Sequence, residues 1–257
     1  METNKIYNMD CLEGMKLIPD KTVDMILSDL PQGITQNDWD KVIPFNELWE
    51  QYNRIIKNNG AIVLFGNGMF TSELMQSNRK FWRYNIIWEK TKPTGFLNAN
   101  NMPLRIHEDI CVFYKKRPLY FPQKTKGHRP VHTYTKHTPD GSNYGKTKTG
   151  ISGGGSTERF PRSIITFSTD TQKSSIHPTQ KPVELCSYLI RTYTKENEII
   201  LDSCTGSGAV PVACIKMNRR YIAFEINENY YQKAVLRIKQ YKNDFNSGAA
   251  GNINPKL

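Results

Sequence analysis

Two short segments at opposite ends of the chain do most to limit its fold. Near the start runs Ser28-Asp29-Leu30-Pro31-Gln32-Gly33, and near the end runs Leu201-Asp202-Ser203-Cys204-Thr205-Gly206-Ser207-Gly208. Each follows a brief apolar run, Val23 to Leu27 and Ile199 to Leu201, that reads as a buried parallel strand. The later segment is a glycine-rich turn opening a helix, where a nucleotide-like ligand can approach the backbone. The earlier one ends its strand in a carboxylate and a loop stiffened by proline. A cofactor site and a reaction site on one sheet are expected.

Elsewhere strands and helices alternate. Further strands are expected at 5–9, 61–65, 84–89, 109–114 and 221–224. A helix should follow the first strand to about Leu17. Residues 45–57 have helical spacing, with Leu48, Tyr52, Ile55 and Ile56 on one face, and Asn58-Asn59-Gly60 should end that helix. Helices are also expected at 70–76, 183–193 (opened by Pro182), 209–217 and 229–241. Such alternation implies an α/β fold: a mostly parallel sheet of seven strands with helices on both faces.

Between 115 and 175 the character changes. Lys, Arg, Thr, Gly and Tyr dominate, with little helical period. Tyr120, Phe121, Tyr134, Tyr144 and Phe160 are interleaved with positive charge, including Lys146, Lys148, Arg159 and Arg162. A linker has little use for aromatic rings. Cations for phosphates and rings for bases suit a segment that contacts nucleic acid. The expected organisation is 1–114, an insertion at 115–175, 176–242, and a frayed tail at 243–257.

A formal charge of +11 and a pI near 9.3 point the same way, towards nucleic acid or another anionic surface. The 5 cysteines form no CxxC pair, and their odd number argues against a disulfide framework. His128, His132 and His137 lack partners at metal-ligand spacing, and no metal is expected. The start carries no apolar leader and no run reaches membrane-spanning length, so a cytoplasmic protein is expected.

The unit from Ile199 to Ile226 reads as strand, glycine turn, helix, strand, acid. Glu225 follows Asp202 at about the ~20-residue distance usual between a glycine turn and a ribose-binding carboxylate. The turn is not GxGxxG and no Walker lysine follows it. A nucleoside-like cofactor without polyphosphate is favoured over a dinucleotide or ATP.

These segments together resemble a known family. Asp29-Leu30-Pro31-Gln32 resembles the (D/N/S)-P-P-(Y/F/W) loop of S-adenosylmethionine-dependent DNA amino-methyltransferases. His177-Pro178-Thr179-Gln180-Lys181-Pro182 is similar to the HPTQKP element of the β-type members, and Asp202 to Gly208 to their D-P-F-x-G-S-G turn. The order also matches: catalytic loop, target-recognition region, then cofactor turn. The resemblance spans about residues 5 to 240 and implies a Rossmann-like, circularly permuted methyltransferase domain with a basic target-recognition insertion.

It further implies S-adenosylmethionine as cofactor and double-stranded DNA as partner, with a homodimer compatible. The Asp29 side chain and the Leu30 carbonyl would orient the target amine, beside Pro31 and Gln32. Asp10 and Cys11 would lie near the cofactor adenine, and His177, Thr179 and Lys181 at its methionine end. Asp202, Ser203, Thr205, Gly206, Ser207, Gly208, Glu225, Ile226 and Asn227 would complete that site. Arg105-x-His107-Glu108 resembles a further family segment, for which a structural ion pair is an equal explanation.

An exocyclic amine on adenine or cytosine is a weak nucleophile because its lone pair is delocalised. Acceptors aimed at its hydrogens, with in-line positioning, supply the acceleration, and no covalent enzyme intermediate is needed. The base must leave the duplex. Two departures stand out: Leu30 replaces a proline, and Gln32 replaces the ring that would stack on the base. Another ring such as Trp39 stacks there, or activity is reduced, or the position has been altered. Adenine N6 is the expected target because the loop opens with Asp. The alternatives are cytosine N4, a silent DNA-binding module, and RNA or protein amide methylation.

Overall fold

In a computed structural model, residues 1–33, 40–136, 149–169 and 180–246 are described. The elements of the N-terminal part are β1 (Lys5–Asn8), α1 (Cys11–Lys16), β2 (Val23–Ser28), α2 (Phe45–Ile55), β3 (Ile56–Gly66), α3 (Met69–Ser77), β4 (Trp82–Thr94) and β5 (Arg105–Phe113). After them come β6 (Tyr134–Thr135), β7 (Ser152–Gly153), β8 (Ile164–Phe167), α4 (Val183–Tyr193), β9 (Ile199–Asp202), α5 (Ala209–Lys216), β10 (Arg220–Glu225) and α6 (Glu228–Asn246). They form two compact units. One runs over Met1–Phe121 and resumes at Ser163; the other is Pro122–Arg162.

The first unit is built on an eight-stranded sheet ordered β1-β10-β9-β2-β3-β5-β4-β8. Strands β1, β10, β9, β2 and β3 are mutually parallel, β5 runs antiparallel to β3 and β4, and β8 is parallel to β4. One apolar layer joins Met25, Leu27, Val63, Phe65 and Ile200 to α4, α5 and α6 through Leu185, Leu189, Val212 and Ala234. On the other face Ile26, Leu64, Leu201 and Phe224 meet α1, α2 and α3 through Met15, Leu48, Tyr52 and Leu74. Alternate residues of each strand serve opposite layers, as the pleat requires. Strands buried on both faces are therefore apolar throughout.

Neighbours β9 and β2 sit at the turning point of this architecture. Met25 pairs with Ile200 and Ile26 with Leu201. The helix after β9 packs on one face and the helix after β2 on the other. A crevice opens outside the carboxyl ends of two such strands, and here those ends are Asp29 and Asp202.

Three expectations are corrected. The sheet has an eighth strand, β8, beyond the seven expected. Asn58-Asn59-Gly60 does not end α2. That helix stops where Ile56 turns extended and pairs with Val23, and pairing resumes at Met25 with Ala61, leaving the three residues in a strand irregularity. Gly60 belongs there because a Cβ would lie 2.7 Å from the Asp24 carbonyl oxygen. Finally, α6 runs from Glu228 to Asn246, longer than the helix expected at 229–241.

The second unit is held by the β6–β7 pair, the Thr125–Arg159 bridge and a Lys124–Glu158 ion pair at 3.0 Å. Its Phe160 ring lies under the Lys124 ammonium, 4.7 Å from the ring centre. Among the described residues no helix is long and apolar enough to cross a membrane.

Candidate active site

The carboxyl ends of β1, β2, β9 and β10 open onto one cavity of about 910 Å³. Its walls include Asp10 and Cys11 after β1, Asp29 to Gln32 after β2, Asp202 to Ser207 after β9, and Glu225 and Ile226 after β10. Thus the two sequence-distant segments meet in one space.

Local hydrogen bonds fix the cofactor-side turn. Asp202 is buried and accepts from Ser28 Oγ at 3.0 Å, while Ser28 Oγ itself accepts from Ser203 N at 3.0 Å. Burial pushes the Asp202 carboxyl up to about 7, against the hydrogen bonds that favour its charged form. The Ser203 hydroxyl pairs with Tyr52 OH at 2.7 Å. Glu225 accepts from Gly206 N at 2.8 Å through Oε2 and from Asn227 N at 2.9 Å through Oε1. Burial raises its carboxyl above the ordinary value, and these backbone donors oppose the shift.

On the reaction side, Asp29 Oδ2 accepts from Lys181 Nζ at 2.5 Å, and Gln32 Nε2 stands 3.5 Å from Asp29 Oδ1. Asp29 is raised by burial, with Lys181 pulling it back. Asp40 shapes the loop: its Oδ1 accepts from Gln32 N at 2.7 Å and Gly33 N at 2.9 Å. The Leu30 side chain is buried in the α1–α2 layer although the residue also lines the cavity. A leucine therefore anchors the loop where the related motif carries proline.

The donor set fits a nucleoside with a cationic arm. Glu225 ends the strand next to the turn and suits ribose hydroxyls. Met9, Leu12, Ile226 and Tyr230 give an apolar wall for a flat ring, and Ile226 is 62% exposed, which leaves its side chain open to such a partner. Asp29 supplies negative charge. Cys204 also lines the cavity, but contact with the Cys11 thiol and then burial push its own thiol well above the usual range. A neutral thiol is a poor nucleophile, so direct transfer without a covalent enzyme intermediate suits this chamber.

A family model described as DNA methylase matches residues 23–236. The chain belongs to the DNA methylase family. The N4/N6 amino-methyltransferases of this family depend on S-adenosylmethionine. Among relatives, the Type II methyltransferase M.HinfI of Haemophilus influenzae is 26% identical over 93% of this chain and 69% of its own length. The DNA adenine methyltransferase YhdJ of Escherichia coli (strain K12) is 25% identical over 92% of this chain and 83% of its own. In structure, the M1.HpyAVI–SAM complex matches with a TM-score of 0.62 and 22% identity, covering 91% of this chain and 98% of that one. The cytosine-N4-specific PvuII DNA methyltransferase matches with a TM-score of 0.66 at 13% identity, over 96% and 94%. These structural likenesses show the methyltransferase fold.

Most residues read as methylase machinery come together in the cavity. Asp10 caps α1, its Oδ1 accepting from Leu12 N at 2.8 Å and Glu13 N at 3.2 Å. Thr205 lines the wall, and Ser207 does so while accepting from Arg237 Nη1. Two residues stand outside the cavity wall. Gly208, at φ +76, faces α6, where a Cβ would lie 3.3 Å from Ala234 Cβ, so a close helix contact requires this glycine. Asn227 caps α6 through a bond from Tyr230 N to its Oδ1 at 3.1 Å. Lys181 reaches the Asp29 carboxylate, and Arg159 gives its guanidinium to carbonyls of Arg129, Ser156 and Glu158 within its own unit. Arg162 is exposed. Trp39, Lys146, Lys148, His177 and Thr179 lie outside the described residues. Sequence reading gave no site role to Asp40, Tyr52 or Lys90, which belong to no recognisable motif, nor to Ser28, although it opens the Asp29 segment. Strand adjacency brings Ser28 and Lys90 to the site, and packing of α2 on the sheet brings Tyr52.

Proposed function

We propose that this chain moves a methyl group from S-adenosylmethionine to adenine N6 of a base extruded from duplex DNA. The observation that carries the reading is the Asp29 carboxylate, set just after β2 beside strand β9 and facing the same cavity as Glu225 and the glycine turn. The cofactor, when bound, supplies an electrophilic methyl on a sulfonium. Glu225 would take the ribose hydroxyls, and Asp10 and Ile226 would border the adenine. Asp29 and the Leu30 carbonyl would accept from the target amine and draw its lone pair out of the ring. The amine sheds one proton on gaining the methyl, and Asp29 is the base at hand. Adenine is preferred because the loop opens with an aspartate, and the relative YhdJ is named a DNA adenine methyltransferase.

A second reading has its own observation. Gln32 stands where a stacking ring is expected, so a weakened or silent DNA-binding methylase keeps its place. One experiment separates these. Labelled cofactor and duplex DNA are incubated with the protein, and the nucleosides are analysed. N6-methyladenine is expected; N4-methylcytosine would move the target to cytosine, and no product would favour the silent module. Asp29→Ala should abolish transfer while cofactor still binds. Full methylation by that variant would sink the mechanism.

A further inference from the structure

Four charged side chains form a line beneath the reaction site: Lys90, Glu108, Lys181 and Asp29. Lys90 Nζ lies 2.6 Å from Glu108 Oε1, Lys181 Nζ 3.3 Å from Glu108 Oε2, and Lys181 Nζ 2.5 Å from Asp29 Oδ2. The side chains of Lys90, Glu108 and Lys181 are only 9%, 13% and 10% exposed, and Asp29 is 25% exposed. Strand register assembles the far end of the line. Glu108 on β5 faces Trp88 on β4, which puts Lys90, two residues further along β4, on the same face.

The two oxygens of Glu108 are unequally used. Oε1 is held by Lys90. Oε2 is buried and has no hydrogen-bond partner, although the Lys181 ammonium stands at ion-pair distance. A buried carboxylate oxygen left without a hydrogen bond is unfavourable, and here a donor already waits within a short shift. Lys181 occupies the very carboxylate that the target amine needs. An ammonium at 2.5 Å and an incoming N–H donor compete for Asp29.

We infer that Glu108 is a positioning residue that takes Lys181 over from Asp29 when the target base enters, with Lys90 holding Glu108 in place for the exchange. The inference rests on the methyltransferase reading. The line carries two cations and two anions in either arrangement, so no net charge enters or leaves the buried site. The Phe65 ring lies 5.1 Å beneath the Lys181 ammonium and offers it a second hold. With Lys181 transferred, Asp29 is free to accept from the amine and to take its proton.

The first test needs no activity. A crystal structure of Asp29→Asn, which removes the charge that holds Lys181, should show Lys181 Nζ hydrogen-bonded to Glu108 Oε2 within about 3.0 Å. Lys181 remaining on residue 29, or turning to solvent, would overturn the inference. The second is a kinetic cycle on duplex DNA. Glu108→Gln should lower kcat about tenfold or more with unchanged cofactor affinity, yet add no further loss in a Lys181→Met background. Equal losses in both backgrounds, or a fully active Glu108→Gln, would mean that Glu108 does not act through Lys181. Wild-type protein that methylates no DNA would defeat the functional reading, and the Asp29→Asn structure would still decide this one.

Discussion

At Glu225 one carboxylate ties the glycine turn to the strand beside it, through Gly206 N and Asn227 N, with lone pairs remaining for a ligand. Glu225→Ala should weaken cofactor binding by about 1.5–3 kcal/mol, as expected for charge-assisted hydrogen bonds; titration calorimetry on the folded variant measures this. Asp202 makes a pH prediction. Its folded value of about 7 lies above the ordinary aspartate value of 3.8. The native state thus binds a proton that the unfolded chain releases between those values, and stability falls as pH rises through that window. Denaturant titrations from pH 4.5 to 7.5 should show the fall, and Asp202→Asn should flatten it. Gln32 is the third case. A base stacked on an aromatic ring is worth about 1–3 kcal/mol, so Gln32→Tyr should raise transfer or tighten DNA binding roughly 5-fold to 150-fold. Cofactor affinity should not change. A neutral Gln32→Tyr together with a crippled Trp39→Ala would assign the stacking to Trp39. The acids at 29, 202 and 225 were legible because each ends an apolar strand. Lys90 and Ser28 were not, because their partners come from register across the sheet.

Elements were legible where periodicity was undisturbed. Helix α4 and strand β9 have the bounds expected from Val183–Tyr193 and Ile199–Asp202. β8 was hidden because its four residues sit in a polar stretch and pair only through the distant β4. Gly208 shows a related difficulty: a glycine facing a ligand and a glycine facing a helix look alike in sequence. Gly14 shows the same kind of constraint on α1. A Cβ there would come within 2.2 Å of the Phe224 ring, so the helix backbone lies directly on β10. Gly14→Ala should destabilise the protein by about 1–3 kcal/mol through overpacking, read by chemical denaturation. Because α1 begins at Cys11 in the cofactor wall, cofactor affinity should drop as well.

For the molecule as a whole, positive charge is the feature with the broadest consequence. A formal charge of +11 predicts DNA binding that weakens steeply with salt. A protein neutralising 6–10 phosphates loses about 10³–10⁵ in affinity between 50 and 200 mM salt. Replacing Pro122–Arg162 by a short linker should remove most of that dependence while cofactor binding survives, since the cavity is lined by residues of the other unit. Unchanged DNA affinity and sequence choice after the replacement would take target recognition away from this segment. The charge and the mixed aromatics were visible in composition; β8 was not, because it rejoins the sheet without any change of composition to announce it.

Strand β1 is an edge strand whose sheet partner is β10, Lys5 lying against Ile222 and Asn8 against Glu225. On the ribosome, β1 must therefore wait for β10. At ~5–20 residues per second the delay across roughly 215 residues is on the order of 10–40 s. During that interval the segment that carries Asp10 has no strand to pair with. The nascent chain is consequently unable to close its cofactor chamber, however long the β2–β3 half has been out of the exit tunnel, until β10 has been made.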